Sequence, residues 1–229
     1  MAVAAVGLTA TAVAVTPQVA RLVTSNHIEA PTLPELGELS QRSIMVNAVG
    51  DIIGVFEAVN QIPIRYEQVP SGVIDAVLAV EDESFFEHKG INAKSLLRAV
   101  LANVSAGEVR QGGSTITQQL VGLNYLPATP SANDKIVEAT YAVELEKKLT
   151  KQQILERYLN SVYFGNGSYG IQAAAEMYFN KNVDQLTMVE GAFLAGLIRA
   201  PSGYDPFRYP DRSKAVSYTH LTLPTNSRV

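Results

Sequence analysis

Three observations predict a mainly α-helical domain that begins with a small β-hairpin. Apolar residues recur at three- and four-residue spacing from Pro70 to Pro201. Thr150 and Thr187 are followed three positions later by Gln153 and Glu190, the capping-box signature of a helix start. Two short apolar runs, 43–49 and 52–56, flank the turn pair Gly50-Asp51 and predict the hairpin. The 229 residues, 47% hydrophobic and 17% charged, suffice for one large domain or two small ones. A net charge of −4 offers no general attraction to nucleic acid, so no nucleic-acid partner is expected. The chain has no Cys, which excludes a disulfide framework, a thiolate metal site and a cysteine nucleophile. His27, His88 and His220 are too scattered for a multi-histidine zinc site. Carboxylates, hydroxyls and amides must carry any chemistry.

From the N-terminus, Met1 to Ala20 contains no ionisable side chain. About 20 residues at a rise of about 1.5 Å each cross roughly 30 Å of hydrocarbon, which predicts a transmembrane anchor over 1–23. A signal remnant and a disordered Ala/Val/Thr leader are the alternatives, and either the anchor or the signal puts the rest outside the cytoplasm. Pro31, Pro34 and Gly37 make 24–42 a linker. After the hairpin, Ser71 is the expected N-cap of a helix whose inner face is Val73, Ala76, Val77 and Val80. A second helix is expected from Asn92, with Leu96, Leu97, Val100, Leu101 and Val104 on one face and Gly107 at its end. A third should open at Ser114 and turn Ile116 and Leu120 inward. Behind Thr150 the buried stripe is Ile154, Leu155, Tyr158, Leu159 and Val162; behind Thr187 it is Phe193, Leu194, Leu197 and Ile198, closed by Pro201.

Two stretches depart from amphipathic routine. Residues 81–87 carry four carboxylates, Glu81, Asp82, Glu83 and Glu87, directly after an apolar run. On composition alone this is a solvated acidic helix end. A carboxylate half-drawn into apolar surroundings, however, has its pKa raised toward neutrality and can serve as a general base or acid, worth roughly 10² to 10⁴ in rate. The second stretch, Gln111-Gly112-Gly113-Ser114-Thr115-Ile116-Thr117-Gln118-Gln119, places glycines and hydroxyls before a helix N-terminus. Its bland reading is a loop-to-helix junction; its functional reading is an anion cradle suited to phosphate. Thr115 and Gln119 are four apart and share a helix face.

Taken in order, the motifs are Glu81-Asp82-x-x-Phe85-x-x-His88-x-Gly90, Gly112-Gly113-Ser114-Thr115-Ile116-Thr117-Gln118-Gln119-Leu120, Lys135-Ile-Val-Glu138 leading to Glu144-Leu-Glu146, and Ile154-Leu-Glu-Arg-Tyr-Leu-Asn160 with Tyr163-Phe-Gly165 and Gly170-Ile171. This series resembles the peptidoglycan glycosyltransferase family, which comprises domains of class A penicillin-binding proteins and monofunctional enzymes. The resemblance covers 43–215. It implies a lysozyme-like, two-lobed helical fold with a membrane-dipping region. It also implies polymerisation of a lipid-linked disaccharide-peptide (lipid II) by inverting displacement of lipid pyrophosphate. Glu81 then corresponds to the general base on the acceptor 4-hydroxyl, and Glu138 to a second carboxylate at the pyrophosphate side. Asp82, Phe85 and His88 match site-shaping positions. Ser114, Thr115, Gln118, Gln119 and Lys135 match substrate-binding ones. No organic cofactor is implied, and a metal only as a divalent cation, Mg or Mn, near Glu138. The implied partners are lipid II, the growing lipid-linked glycan chain, the membrane and other wall-synthesis proteins. The implied place is the outer face of a bacterial cytoplasmic membrane.

Family members usually carry a basic residue and then Asn where this chain has Gly122 and Leu123, and Arg-Lys where it has Asp134-Lys135. Either donor binding is weakened, or Arg110, Lys147 or another cation substitutes, or a metal supplies more of the missing charge. A catalytically weak, membrane-anchored module that binds lipid-linked glycan is the alternative function. A lysozyme-type hydrolase is disfavoured, because hydrolysis of neutral glycan has no use for an anion cradle. Glu144 and Glu156 read as ordinary helix charges. Residues 216–229 lose apolar periodicity, and Ser217-Tyr-Thr-His-Leu-Thr-Leu-Pro-Thr225 resembles a translated sequencing-adaptor tail, so this segment is expected to be non-native.

Overall fold

A computed structural model of the chain describes residues 33–39, 43–56, 60–93, 113–127, 129 and 131–212. The expected anchor, most of the linker, the second helix beyond residue 93 and the 216–229 tail lie outside the described residues. The chain divides into two units, Met1–Pro34 and Glu35–Val229, and everything below concerns the second. Among the described residues no helix is long and apolar enough to cross a membrane.

The hairpin forms as expected: β1 (Ser43–Val46) pairs antiparallel with β2 (Ile52–Phe56), Ser43 opposite Phe56, with a register shift between Met45 and Val46. Its turn is closed by Asn47, whose Oδ1 accepts from the Val49 and Asp51 backbone N–H groups at 3.0 and 2.9 Å. A second sheet was not foreseen. Its strands β3 (Asn60–Gln61), β4 (Tyr163–Gly165) and β5 (Ser168–Tyr169) are ordered β3-β5-β4, with β3 parallel and β4 antiparallel to β5. Strands this short carry no readable alternation.

The described residues form six α-helices: α1 (Ser71–Glu81), α2 (Ile116–Tyr125), α3 (Ala132–Lys148), α4 (Lys151–Ser161), α5 (Ile171–Phe179) and α6 (Met188–Arg199). The capping boxes expected at Thr150 and Thr187 are present. Two caps differ from expectation. Ser71 is the first helical residue and Pro70 the cap, so α1 starts without a side-chain acceptor. The cap of α2 is Thr115, one residue beyond Ser114. Only from Thr115 does the third following residue, Gln118, return a hydrogen bond; the Thr115 N–H donates to Gln118 Oε1 at 3.0 Å and the Gln118 N–H to Thr115 Oγ1 at 3.1 Å.

Helix α1 packs on α6, and α2 packs on both α3 and α4. The α1–α6 approach is close: a Cβ on Gly191 would lie 2.9 Å from the Val73 Cα. The core holds Val73, Val77, Phe85, Leu120 and Leu194, together with the α4 stripe Ile154, Leu155, Tyr158, Leu159 and Val162. Phe193 and Ile198 are half-buried, and Phe193 packs edge-on against Tyr178 and Phe179. Buried Asn160 joins the end of α4 to the chain before α1, donating to the Ile64 carbonyl and accepting from its N–H, both at 2.8 Å. Gly170 takes φ +81°, and a Cβ there would sit 2.7 Å from the Asn160 carbonyl oxygen, so only glycine fits this crossing.

Candidate active site

The apolar face of α1 carries the chain through the core and delivers Glu81 at the helix end, with Asp82 as its C-cap. Glu81 Oε2 accepts from Gln119 Nε2 at 2.8 Å, while Oε1 is buried and has no hydrogen-bond partner. Burial pushes this carboxyl above its ordinary value; the Gln119 amide and the charge of Arg199 hold it down, and Asp82 adds a small upward push. The other end of the Gln119 amide accepts from the Tyr158 hydroxyl at 2.9 Å. Tyr158 is fully buried, and burial, with Glu81 and Asp82 nearby, raises its phenol well above the usual range. It therefore stays a donor and orients Gln119 so that nitrogen, not oxygen, faces Glu81.

Asp82 is buried and serves two partners through one oxygen. Oδ2 accepts from His88 Nε2 at 2.8 Å and from the Ile116 backbone N–H at 3.1 Å. The anion at the start of α2 is thus Asp82 itself, where the sequence suggested a phosphate. The cradle is further filled because the Gln118 N–H is taken by Thr115. The Thr115 hydroxyl in turn donates to the Gly90 carbonyl at 2.6 Å, binding the acidic turn to α2. Ser114 stays half-buried beside this junction, and Gln118 shares its Oε1 with the cap. Phe85 is completely buried, edge-on to His88 with ring centroids 6.1 Å apart.

Further along α2, Glu138 is 3% exposed, and both its oxygens accept from Lys135 Nζ, at 3.0 and 2.8 Å. A Cβ built on Gly122 would lie 3.6 Å from Glu138 Oε2, so the position without its usual cation faces this carboxylate directly. Gln119 and Gly122 are three residues apart, hence neighbours on one face of α2. Glu81 and Glu138, far apart in sequence, therefore address the same helix face within one turn. Asp134 is engaged elsewhere: it accepts from the Ser131 N–H and hydroxyl, both at 2.7 Å, and these bonds lower its carboxyl pKa. The chain has used the expected arginine's position to cap α3.

Among the described residues no group of three His, Asp or Glu side chains is placed to hold a metal. Glu138 is already neutralised on both oxygens by lysine, so the protein's own donors do not build a cation site there. Glu156 accepts from the Tyr66 N–H at 2.7 Å and Glu144 pairs with Lys147, as their structural reading implied; Arg110 lies outside the described residues. Sequence reasoning missed the part played by Tyr158, placing it only in a buried stripe. The available signal was chemical: a tyrosine at a position where leucine would pack equally well brings a hydroxyl that must find a partner.

Fold and site together define a helical domain organised around a half-buried carboxylate, Glu81, with a lysine-paired carboxylate, Glu138, one turn along the same helix face. The chain matches the transglycosylase family over residues 49–223. It is 44% identical over 185 residues to penicillin-binding protein 1F of Bacillus subtilis (strain 168), covering 81% of this chain and 26% of that protein. It is 40% identical over 215 residues to penicillin-binding protein 1A of Neisseria flavescens, covering 93% and 26%. A crystal structure of penicillin-binding protein 1A from Haemophilus influenzae is 28% identical, with a TM-score of 0.43 over 82% of this chain and 18% of that one. The chain belongs to the transglycosylase family, as its motifs indicated, and spans about a quarter of the length of the curated relatives it matches.

Proposed function

We propose that this chain is a peptidoglycan glycosyltransferase domain, part of a class A penicillin-binding protein, that polymerises lipid II into β-1,4 glycan strands. The observation that carries the reading is Glu81, a half-buried carboxylate with one oxygen fixed by Gln119 and the other buried without a hydrogen-bond partner. The bare oxygen takes the proton of the acceptor sugar's 4-hydroxyl as that oxygen attacks the anomeric carbon of the growing chain. The bond from that carbon to the lipid pyrophosphate breaks in the same step, inverting α to β. A base raised by burial and used beside a fixed amide donor suits this transfer near neutral pH.

At the leaving side, Lys135 is the cation available beside Glu138, and its half-exposed ammonium can also meet pyrophosphate oxygens. A divalent cation, Mg or Mn, would have to draw most of its oxygen ligands from the pyrophosphate and water. The lysozyme-like two-lobed arrangement, the anchor over 1–23, a place on the outer face of the cytoplasmic membrane and contacts with other wall-synthesis proteins belong to the same proposal. The test is incubation with labelled lipid-linked precursor. Polymer that forms with the wild type and not with Glu81→Gln supports the reading, and release of reducing ends from finished glycan would replace it with a hydrolase. Gly122 favours one second reading, a module that binds lipid-linked glycan with little polymerisation; saturable binding by a wild type that makes no polymer would establish it.

A further inference from the structure

Lys151, the first residue of α4, touches neither Glu81, Gln119 nor Glu138 in the hydrogen bonds above, yet its side chain is only 17% exposed, deep for a lysine. Its Nζ donates to Glu146 Oε1 at 2.6 Å and stands 4.3 Å above the centroid of the Phe85 ring. The same Glu146 oxygen accepts from the hydroxyl of Thr117, a fully buried residue in the first turn of α2, at 2.6 Å. Two arms therefore leave one ammonium. One runs through the Phe85 ring to His88 and so to Asp82, which holds the Ile116 N–H. The other runs through Glu146 and Thr117. Both end in the first turn of α2, at Ile116 and Thr117, three and two residues before Gln119.

A buried lysine–glutamate pair gains little stability over apolar side chains of similar size, because desolvation offsets the attraction. Stability alone is thus a poor account of a part-buried ammonium held between a carboxylate and an aromatic face. We infer that Lys151 is a positioning residue for glycosyl transfer: its ammonium locks the 82–88 turn and the first turn of α2 together, so that Gln119 meets Glu81. The inference rests on the glycosyltransferase reading only for its rate measurement. Besides Gln119, the groups facing Glu81 are Asp82 beside it, Tyr158 of α4 behind Gln119 and Arg199 of α6. Asp82 itself lies on the arm that leaves Lys151, so a moved Glu81 titration in Lys151→Met combines lost alignment with lost charge. The double variant, which removes the lysine and glutamate charges together, isolates the alignment.

The test compares Lys151→Met, Lys151→Arg and the double variant Glu146→Gln with Lys151→Met, all in the full chain. Polymerisation rates are read beside a titration of the Glu81 carboxyl by ¹³C NMR, which needs no substrate. Lys151→Met should lower kcat about 10- to 100-fold, the scale of a small misplacement at a reacting centre, with a smaller change in KM. Its Glu81 midpoint should move up, since the Gln119 donor that favours the ionised form is misplaced. Lys151→Arg, which keeps both the ion pair and the cation over the ring, should restore rate and midpoint. The double variant removes both part-buried charges and should recover the thermal midpoint while staying slow with a raised Glu81 titration. A well-folded double variant with wild-type kcat and wild-type Glu81 midpoint overturns the inference. If even the wild type makes no polymer, the glycosyltransferase reading fails, and the titration still decides the role of Lys151.

Discussion

The Tyr158–Gln119–Glu81 relay gives the most informative single perturbation, Tyr158→Phe. The ring is completely buried and stays in place, so no cavity opens and only the hydroxyl is lost. That hydroxyl donates to Gln119 Oε1 at 2.9 Å. A net hydrogen bond is worth about 0.5 to 1.5 kcal/mol, and a buried acceptor left without a donor adds a penalty of about 1 to 3 kcal/mol. Gln119 is half-buried and water can reach part of its amide, which places the total near the lower end, about 1 to 2 kcal/mol. Urea denaturation should show that loss with an unchanged slope. The catalytic consequence follows from the amide's two faces. Without the tyrosine donor, only the Glu81 carboxylate is left to favour the orientation that points Nε2 at it and keeps Oε1 away. A loss of about 1 to 2 kcal/mol in that preference corresponds to roughly a 5- to 30-fold fall in kcat/KM. The sign of the pH effect is fixed as well. The Gln119 donor favours the ionised carboxylate, so its loss raises the Glu81 pKa, and the acid limb of the polymerisation profile should move to higher pH. A Tyr158→Phe protein that polymerises at the wild-type rate with an unmoved acid limb refutes the relay.

Glu81→Gln should abolish polymer, a loss of roughly 10² to 10⁴ or more, and stabilise the domain at neutral pH. The folded carboxyl lies above its ordinary value of 4.5, so the stability it contributes is fully present at low pH and is lost as pH rises through the folded value. The two proteins should therefore unfold alike in acid and diverge on the neutral side, read by thermal melts across pH; identical melts at all pH values would contradict the burial of Glu81. Lys135→Met removes the Nζ that serves both oxygens of a carboxylate whose side chain is 4% exposed, and should cost about 1 to 3 kcal/mol in urea while raising KM for the lipid-linked donor. Gly122→Lys should be tolerated, since its Cβ meets nothing closer than 3.6 Å, and should gain about 0.5 to 1 kcal/mol of helix propensity. The new cation facing Glu138 should also lower KM; a raised KM would mean that the absent charge is not needed on this face.

Much of the domain was legible locally. Thr150 with Gln153 and Thr187 with Glu190 announced two helix starts, because a cap is made by residues three positions apart and needs no distant partner. Gly50-Asp51 announced the hairpin for the same reason. Ser71 and Ser114 misled, since a hydroxyl near a helix start is only a candidate cap; Pro70 begins α1 and the reciprocal bond with Gln118 selects Thr115.

The sequence by itself determined the helical class, the order of the chemical motifs and the presence of a carboxylate at the exit of an apolar helix. It also supplied the family, because four motifs in order constrain identity without any knowledge of their contacts. What only the tertiary structure decided is which donor meets which acceptor. Asp82 occupies the helix start that looked ready for phosphate, Gln119 turns toward Glu81 under the direction of Tyr158, and Gly122 opens onto Glu138. Each of these joins residues many positions apart, and their meeting depends on how α1, α2, α3 and α4 pack. Periodicity reports which face of a helix is buried. The partner buried against that face is settled by packing alone.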